Sequence, residues 1–339
     1  MTRLRPLRAM LIIGAIAVGM AMMASLAPDN EYQRWQLLDG TIHARARWIY
    51  ERTHFDPTPI DVAIVGPSRT GQGVDAPRLA RDLAARGVPA NVVNFSLPES
   101  GRNINWLVVD QLLREKSPRL IIVGVTEKPS RLGHSAFKFL APARDILAPG
   151  YPTDLNYFSD LLYLPYRQLE LFTANLFPGF MGLTKTFQMT RYGGQSLNTT
   201  GSIVLPDGSI KEGERPASTR ELARGVRKLE QGSHAPLLPA AYADAEFGDE
   251  RHYIREIASV AHAHGARVAF LFLPYYSGPS GLQEQHFYEQ IGPVWNAGFL
   301  STHAEWFADY GHLTRTGAQG LTDWLADQVT DTLRKRTTG

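Results

Sequence analysis

The alternation of short apolar runs with amphipathic segments is the feature of this sequence that most restricts its fold. Apolar runs of this length are typical of buried strands, and they predict strands at residues 61–66, 90–95, 119–125 and 267–273. Amphipathic segments predict helices between the first three strands, at 77–86 and 103–115. Strands that alternate with helices are parallel and are joined by right-handed crossovers. We therefore expect an α/β fold, a three-layer α/β/α sandwich with a mostly parallel sheet.

The alternation lapses between residues 129 and 215, a stretch rich in aromatic residues, proline and glycine. We expect an insertion here that shapes a substrate cleft, with a helix at 161–176 and a hairpin that turns at 206–208. Regular structure then resumes, and the sequence predicts helices at 217–231, 240–264, 283–296 and 316–334.

The N-terminal segment has the pattern of a membrane anchor. Arg3, Arg5 and Arg8 precede an uncharged apolar run from residue 9 to residue 26, and acidic residues follow it. Eighteen helical residues rise about 27 Å, close to the roughly 30 Å of a bilayer core. Basic residues before the run indicate a cytoplasmic N-terminus. We therefore predict an anchor at 1–29, a juxtamembrane helix and linker at 30–58, and a catalytic domain at 59–339.

A cleaved signal peptide is the alternative interpretation, because its basic and apolar regions come in the same order. Ser25 and Ala27 are small residues at suitable offsets for cleavage. Pro28 just after the cut, and the length of the apolar run, favour an uncleaved helix. Either interpretation exports the domain, and with the uncleaved helix we expect a bacterial inner-membrane protein whose domain lies in the periplasm.

Charge and residue content exclude several classes of protein. The chain has 35 basic and 33 acidic residues, a balance that argues against a nucleic-acid partner. It contains no cysteine, which excludes thiol catalysis, CxxC zinc sites and iron–sulfur clusters. His262 and His264 flank one residue of a predicted helix and point apart, so they do not form a metal site. The sequence lacks phosphate-binding glycine loops, and we expect neither a metal nor an organic cofactor.

A serine and a histidine–aspartate pair fall in loops that such a sheet brings to one edge. Ligand sites in open parallel sheets form beyond the carboxyl ends of the strands. Ser68 directly follows the first strand, and Asp309 and His312 precede the last helix. A nucleophilic serine needs a base, and the base needs a group that fixes its tautomer. Taken alone, Ser68 is typical of a helix cap and Asp-x-x-His of a solvated loop; together they favour nucleophilic catalysis.

Three short motifs resemble those of the SGNH (GDSL-like) hydrolases, over residues 60–135 and 240–335. Gly66-Pro67-Ser68-Arg69 resembles the first block, in the form found in exported, membrane-anchored members. The block Asp-Tyr-Gly-His-Leu at 309–313, followed by Gly317, resembles the last. Gly101 matches the glycine of the second block.

The resemblance implies a role for each matched residue. Ser68 would be the nucleophile, His312 its base, and Asp309 the group that orients His312. The backbone N–H groups of Ser68 and Gly101 would bind the oxyanion. An α/β-hydrolase elbow fits less well, because Thr70 stands where G-x-S-x-G requires glycine.

The third block departs from the family pattern. Members carry an asparagine there that donates to the oxyanion, but this chain reads Gly124-Val125-Thr126-Glu127-Lys128. Losing one such donor costs about 2.7–4 kcal/mol of transition-state stabilisation, and Thr126 is the candidate replacement. The same departure occurs in exported members linked to polysaccharide O-acetylation.

We expect four further residues to contact the substrate. Arg69 and Asn103 lie beside the first and second blocks, and Tyr275 and Tyr276 follow the strand predicted at 267–273. The two tyrosines are candidates for stacking on a sugar.

Three functions remain open from the sequence. The first is transfer or removal of an O-acyl group, such as acetyl, on an extracytoplasmic polysaccharide through an acyl-serine, with a membrane-bound O-acyltransferase as the expected partner. The second is an exported esterase of small or lipid esters. The third is a catalytically degenerate subunit that binds or assembles a polysaccharide.

Overall fold

The computed structural model describes residues 4–150, 154–204, 209–233 and 235–335. The strands are β1 (Val62–Val65), β2 (Val92–Asn94), β3 (Leu120–Val125), β4 (Ser202–Val204), β5 (Ile210–Glu212), β6 (Arg267–Phe272) and β7 (Val294–Asn296). The helices before the insertion are α1 (Leu4–Ser25), α2 (Glu31–Arg34), α3 (Arg45–His54), α4 (Ser68–Gly73), α5 (Ala76–Ala85) and α6 (Arg102–Glu115). The later helices are α7 (Phe137–Leu140), α8 (Ala143–Leu147), α9 (Tyr157–Leu176), α10 (Pro178–Met181), α11 (Thr219–Gln231), α12 (Ala243–Glu246), α13 (Gly248–Ala263), α14 (Gln285–Glu289) and α15 (Arg315–Arg334).

Five strands form one parallel sheet in the order β2-β1-β3-β6-β7. The chain moves from β1 outward to β2, then returns past β1 to β3. This reversal leaves a crevice at the carboxyl ends of β1 and β3, where ligands bind in sheets of this order. The predicted parallel α/β fold is confirmed, and β4 pairs with β5 as the predicted hairpin. The turn predicted at 206–208 lies outside the described residues.

The sheet separates two apolar cores, which makes the fold a three-layer sandwich. Because side chains alternate along a strand, Ala63 and Val65 of β1 face one core while Val62 and Ile64 face the other. The first core is covered by α3, α6 and α13, and the second by α5 and α15. All four side chains of β1 are buried, as a central strand requires.

Two predicted helices differ in the structure. The helix predicted at 283–296 is wrong, because only α14 is helical and residues 294–296 form β7 at the edge of the sheet. Pro293 cannot continue a helix, and its carbonyl instead accepts the N–H of Phe270 at 2.8 Å. The helix predicted at 240–264 is interrupted at Phe247, so that α13 begins at Gly248.

The N-terminal helix α1 contains an 18-residue segment, Arg8–Ser25, that is long and apolar enough to cross a membrane. The segment 30–58, predicted as a juxtamembrane helix and linker, forms α2 and α3. Its Trp35 and Ile49 side chains belong to the first core and are at most 1% exposed. This segment is therefore packed with the sheet domain.

Gly124 of β3 allows α4 to approach the sheet closely. A Cβ atom on Gly124 would overlap the side chain of Thr70 in α4, with 2.7 Å to its Cβ. A Cβ on Gly66 would lie 2.8 Å from the Thr70 hydroxyl. Because neither glycine has a Cβ atom, the Thr70 side chain fits between them and α4 lies close to the sheet.

We predict that Gly124→Ala lowers the free energy of unfolding by about 1–3 kcal/mol, because the added methyl group overpacks the contact with Thr70. Gly179→Ala is the matched control, since no atom lies within 4 Å of a Cβ built there. Urea unfolding of the full chain in detergent measures both. Equal effects of the two substitutions would contradict this account of the glycine.

Candidate active site

Ser68 is the first residue of α4, three residues beyond the end of β1. The buried Asn94 holds this helix in place, since its side-chain amide donates to the carbonyls of Thr70 and Val74 at 3.1 and 3.0 Å. The end of β2 thereby fixes the turn that follows β1. The half-buried Ser68 side chain lies at the carboxyl edge of the sheet.

Asp309 and His312 lie in a short loop that its own hydrogen bonds close. A bridge pairs Phe307 with Leu313, and the N–H of Ala308 donates to the His312 carbonyl at 2.9 Å. Asp309 Oδ1 accepts the backbone N–H groups of Gly311 and His312, each at 2.9 Å. The loop leads directly into α15. The two bonds to Asp309 Oδ1 hold its carboxylate in the orientation in which it contacts the His312 imidazole.

The structure brings Ser68, His312 and Asp309 into one chain of hydrogen bonds. His312 Nδ1 lies 3.0 Å from both carboxylate oxygens of Asp309, and His312 Nε2 lies 2.8 Å from Ser68 Oγ. A carboxylate only accepts, so Nδ1 carries the proton and Nε2 is left to accept the serine hydroxyl proton. This arrangement can deprotonate Ser68 as an acyl group is transferred to it.

The serine opens into a cleft of about 250 Å³. Residues from the loops after β1, β2 and β3 line it together with the His312 loop and α11: Pro67, Ser68, Arg69, Glu99, Ser100, Thr126, Glu127, Leu229, Tyr310, Gly311 and His312. Loops from neighbouring strands therefore converge on Ser68, as the strand order predicts.

The two N–H groups predicted to bind an oxyanion are those of Ser68 and Gly101. Neither the N–H of Ser68 nor that of Gly101 has a hydrogen-bond acceptor in the described parts of the chain. Gly101 has a φ of 144°, and a Cβ there would collide with the backbone of His134. Glu99, two residues earlier in the cleft wall, is a non-glycine residue with a φ of 70°. The loop after β2 thus has a backbone path that other sequences would rarely adopt.

Thr126, predicted as a further oxyanion donor, lines the cleft, but its hydroxyl donates to the Lys128 carbonyl at 3.1 Å. The next residue, Glu127, forms an ion pair with Arg69 at 2.6 Å. Both charged side chains are at most 13% exposed. The stretch that corresponds to the asparagine block of SGNH hydrolases therefore contributes Glu127 to an ion pair with Arg69, the residue after Ser68.

Arg69 itself, predicted to contact substrate, is held from several sides. Its guanidinium carbon lies 5.5 Å from the ring centre of Tyr275, and its Nε would be 3.3 Å from a Cβ on Gly311. Arg69 therefore connects the end of β3 to the loop that carries His312. The sequence does not predict the contact between Arg69 and Glu127, because no motif pairs these two residues, which are 58 positions apart.

The remaining predicted substrate contacts lie at different depths. Asn103 is 1% exposed, and its amide oxygen accepts the N–H of His134 at 2.8 Å, so it is not in the cleft wall. Tyr276 packs its ring 5.9 Å from that of Phe307, beneath the His312 loop. Tyr275 lines a neighbouring cavity, where its hydroxyl lies 3.4 Å from Glu230.

Two larger cavities adjoin the Ser68 cleft along α11. One, of about 420 Å³, shares Tyr310 with the cleft and is also lined by Arg215, Arg224 and Lys228. The other, of about 410 Å³, shares Leu229 and Glu127 with it. The cleft therefore shares lining residues with the cavity on each side of it, and Ser68 lies in the cleft.

Sequence reasoning missed a cluster of His43, Glu99 and His134, whose possible metal-binding atoms lie within 4.8 Å of one another. Both nitrogens of His134 are engaged: Nδ1 accepts the N–H of Ala136 at 3.0 Å, and Nε2 donates to the Pro98 carbonyl at 2.5 Å. Burial lowers the pKa of His134 to about 3. His134 is thus a neutral residue that braces the loop behind Gly101.

No family model matches the chain, and a search of curated proteins finds no relative.

We predict that Arg69 and Glu127 are energetically coupled by about 1–3 kcal/mol, because removing one leaves the other partly buried and unpaired. Arg69→Leu, Glu127→Leu and the double variant form the double-mutant cycle, measured by urea unfolding. The exposed pair Arg114–Asp110 is the control and should show coupling below about 0.5 kcal/mol. Additive effects of the Arg69 and Glu127 substitutions would contradict a stabilising interaction between the two side chains.

Proposed function

We propose that the protein is a serine-dependent O-acyltransferase or esterase that acts on an extracytoplasmic polysaccharide through an acyl-serine intermediate. The observation that carries the proposal is the hydrogen-bonded chain Ser68–His312–Asp309, with 2.8 Å between the serine and the imidazole. The resemblance of its motifs to SGNH hydrolases supports the same chemistry.

In the proposed mechanism, Ser68 Oγ attacks the ester carbonyl while its proton passes to His312 Nε2. Asp309 holds Nδ1–H and stabilises the imidazolium. The N–H groups of Ser68 and Gly101 bind the oxyanion. When the ester C–O bond breaks, His312 returns the proton to the leaving alcohol, and Ser68 keeps the acyl group.

The second half of the reaction repeats these steps with a new nucleophile. Water or a sugar hydroxyl gives its proton to His312, attacks the acyl carbonyl and frees Ser68. An acyltransferase results when the sugar hydroxyl is favoured, and an esterase results when water is favoured. The three connected depressions along α11 favour an extended substrate over a small ester, because they provide binding surface on both sides of Ser68.

The proposed location follows from α1 and its flanking charges. Basic residues before the apolar segment and acidic residues after it favour a cytoplasmic N-terminus, with the domain on the periplasmic side of a bacterial inner membrane. A membrane-bound O-acyltransferase is the proposed source of acyl groups, since these must be brought across that membrane.

A polysaccharide-binding subunit that has lost the chemistry is the second candidate. The observation that favours it is Thr126, because its hydroxyl is already bonded to a carbonyl and the family's asparagine is missing. The intact Ser68–His312–Asp309 chain favours catalysis instead.

We predict that Ser68→Ala lowers turnover of p-nitrophenyl acetate by the full chain about 10⁴-fold or more, because the nucleophile is lost. Ser117→Ala is the matched control: this exposed serine lies at the opposite, amino-terminal end of β3 and should leave the rate unchanged.

Adding a polysaccharide acceptor separates the proposed alternatives. Acyl groups recovered on the polymer would support transfer, and free acid alone would support an esterase. Equal rates in the Ser68→Ala and Ser117→Ala variants would contradict the nucleophile. Polymer binding by a chain without turnover on either ester or polymer would favour the binding subunit.

A further inference from the structure

A stripe of large apolar side chains runs along α9 and α10 on the outside of the domain. Their exposed fractions lie between 51% and 81%, values that would be unusual for so many neighbouring apolar residues in water. The spacing of three, four and seven residues puts those of α9 on one face of the helix. The stripe comprises Phe158, Leu162, Tyr166, Leu169, Leu176, Phe177 and Phe180.

The opposite face of α9 is buried and carries charged and amide side chains as well as Leu164 and Leu171. Arg167 is 0% exposed and donates to the carbonyls of Lys138 and Ala141 at 2.7 and 2.8 Å. Asp160 and Gln168 are also buried. A helix on a water-exposed surface has polar residues on its outer side, whereas the outer side of α9 is apolar. The orientation of α9 therefore fits an apolar environment on its outer side.

The membrane-spanning candidate α1 packs directly against α9. Two buried glutamines fix the chain just beyond α1 to this helix: Gln168 donates to the Ala27 carbonyl at 2.8 Å, and Gln33 donates to the Ala174 carbonyl at 3.0 Å. Consequently, α9 is held where the chain leaves α1, and the apolar surfaces of the two helices adjoin.

We propose that the stripe on α9 and α10 inserts into the interfacial layer of the same lipid bilayer that α1 spans. The continuity of the stripe with α1 selects lipid as the occupant. Tyr166 within the stripe fits the membrane–water interface, where aromatic rings with a polar end are favoured. The domain then rests on the membrane by two adjoining elements, which fixes its orientation. The inference rests on the anchoring role of α1 and does not depend on catalysis.

The absence of cysteine in the chain allows a direct test. Leu162→Cys in the full chain is labelled with a fluorophore and reconstituted into vesicles whose acyl chains carry a nitroxide quencher. Leu237→Cys, on the exposed surface outside α9 and α10, is the negative control, and Ile16→Cys in α1 is the positive control. Leu176→Cys serves as a second position on the stripe.

We expect a nitroxide near the headgroup end of the acyl chain to quench the label at residue 162 most strongly and one near the far end of the chain to quench the label at residue 16, while the label at residue 237 keeps its intensity. Quenching at 16 but not at 162 or 176 would overturn the proposal and leave the anchor intact. Burial of the 162 label without quenching, together with a dimer in cross-linking, would assign the stripe to a second copy. Absence of quenching at residue 16 would instead overturn the membrane anchor itself. It would not bear on the proposed chemistry of Ser68, which the ester turnover assay tests separately.

Discussion

The 2.8 Å hydrogen bond between Ser68 Oγ and His312 Nε2 joins residues that are 244 positions apart in the chain. It forms because β1 delivers Ser68 to the carboxyl edge of the sheet, while the loop before α15 delivers His312 to the same edge. Other hydrogen bonds hold the two segments that carry Ser68 and His312. Asn94 fixes α4, and the backbone of the 309–312 loop fixes Asp309.

The ion pair of Arg69 with Glu127 changes the interpretation of the third sequence block. From sequence alone, the missing asparagine indicates a weaker oxyanion hole. In the structure, the position after Thr126 provides an acid for the arginine that follows Ser68, and the pair braces Gly311 in the His312 loop. Glu127 of the third block and Arg69 of the first are thus two halves of one ion pair, which lies between the loops that carry Ser68 and His312.

Much of the fold follows from local sequence, whereas several site contacts do not. The strands β1 and β3 are predictable from their continuous apolar runs, because central parallel strands are buried on both faces. The three-residue strand β7 is not predictable in this way, since it is too short to show a pattern and is half exposed. The relative position of Ser68 and His312 could be predicted from motifs and strand order. The burial of Asn103 could not, because it depends on the distant loop at His134. The inward orientation of Arg167 on α9 likewise depends on tertiary partners, the carbonyls of Lys138 and Ala141.

The central claim is that His312 activates Ser68 as a nucleophile, and covalent labelling tests it most directly. A fluorophosphonate reacts only with an activated serine, and mass spectrometry of the full chain identifies the modified residue. The account predicts one adduct, on Ser68, that forms far more slowly in a His312→Gln variant. An adduct on another serine, or equal labelling of Ser68 with and without His312, would contradict it.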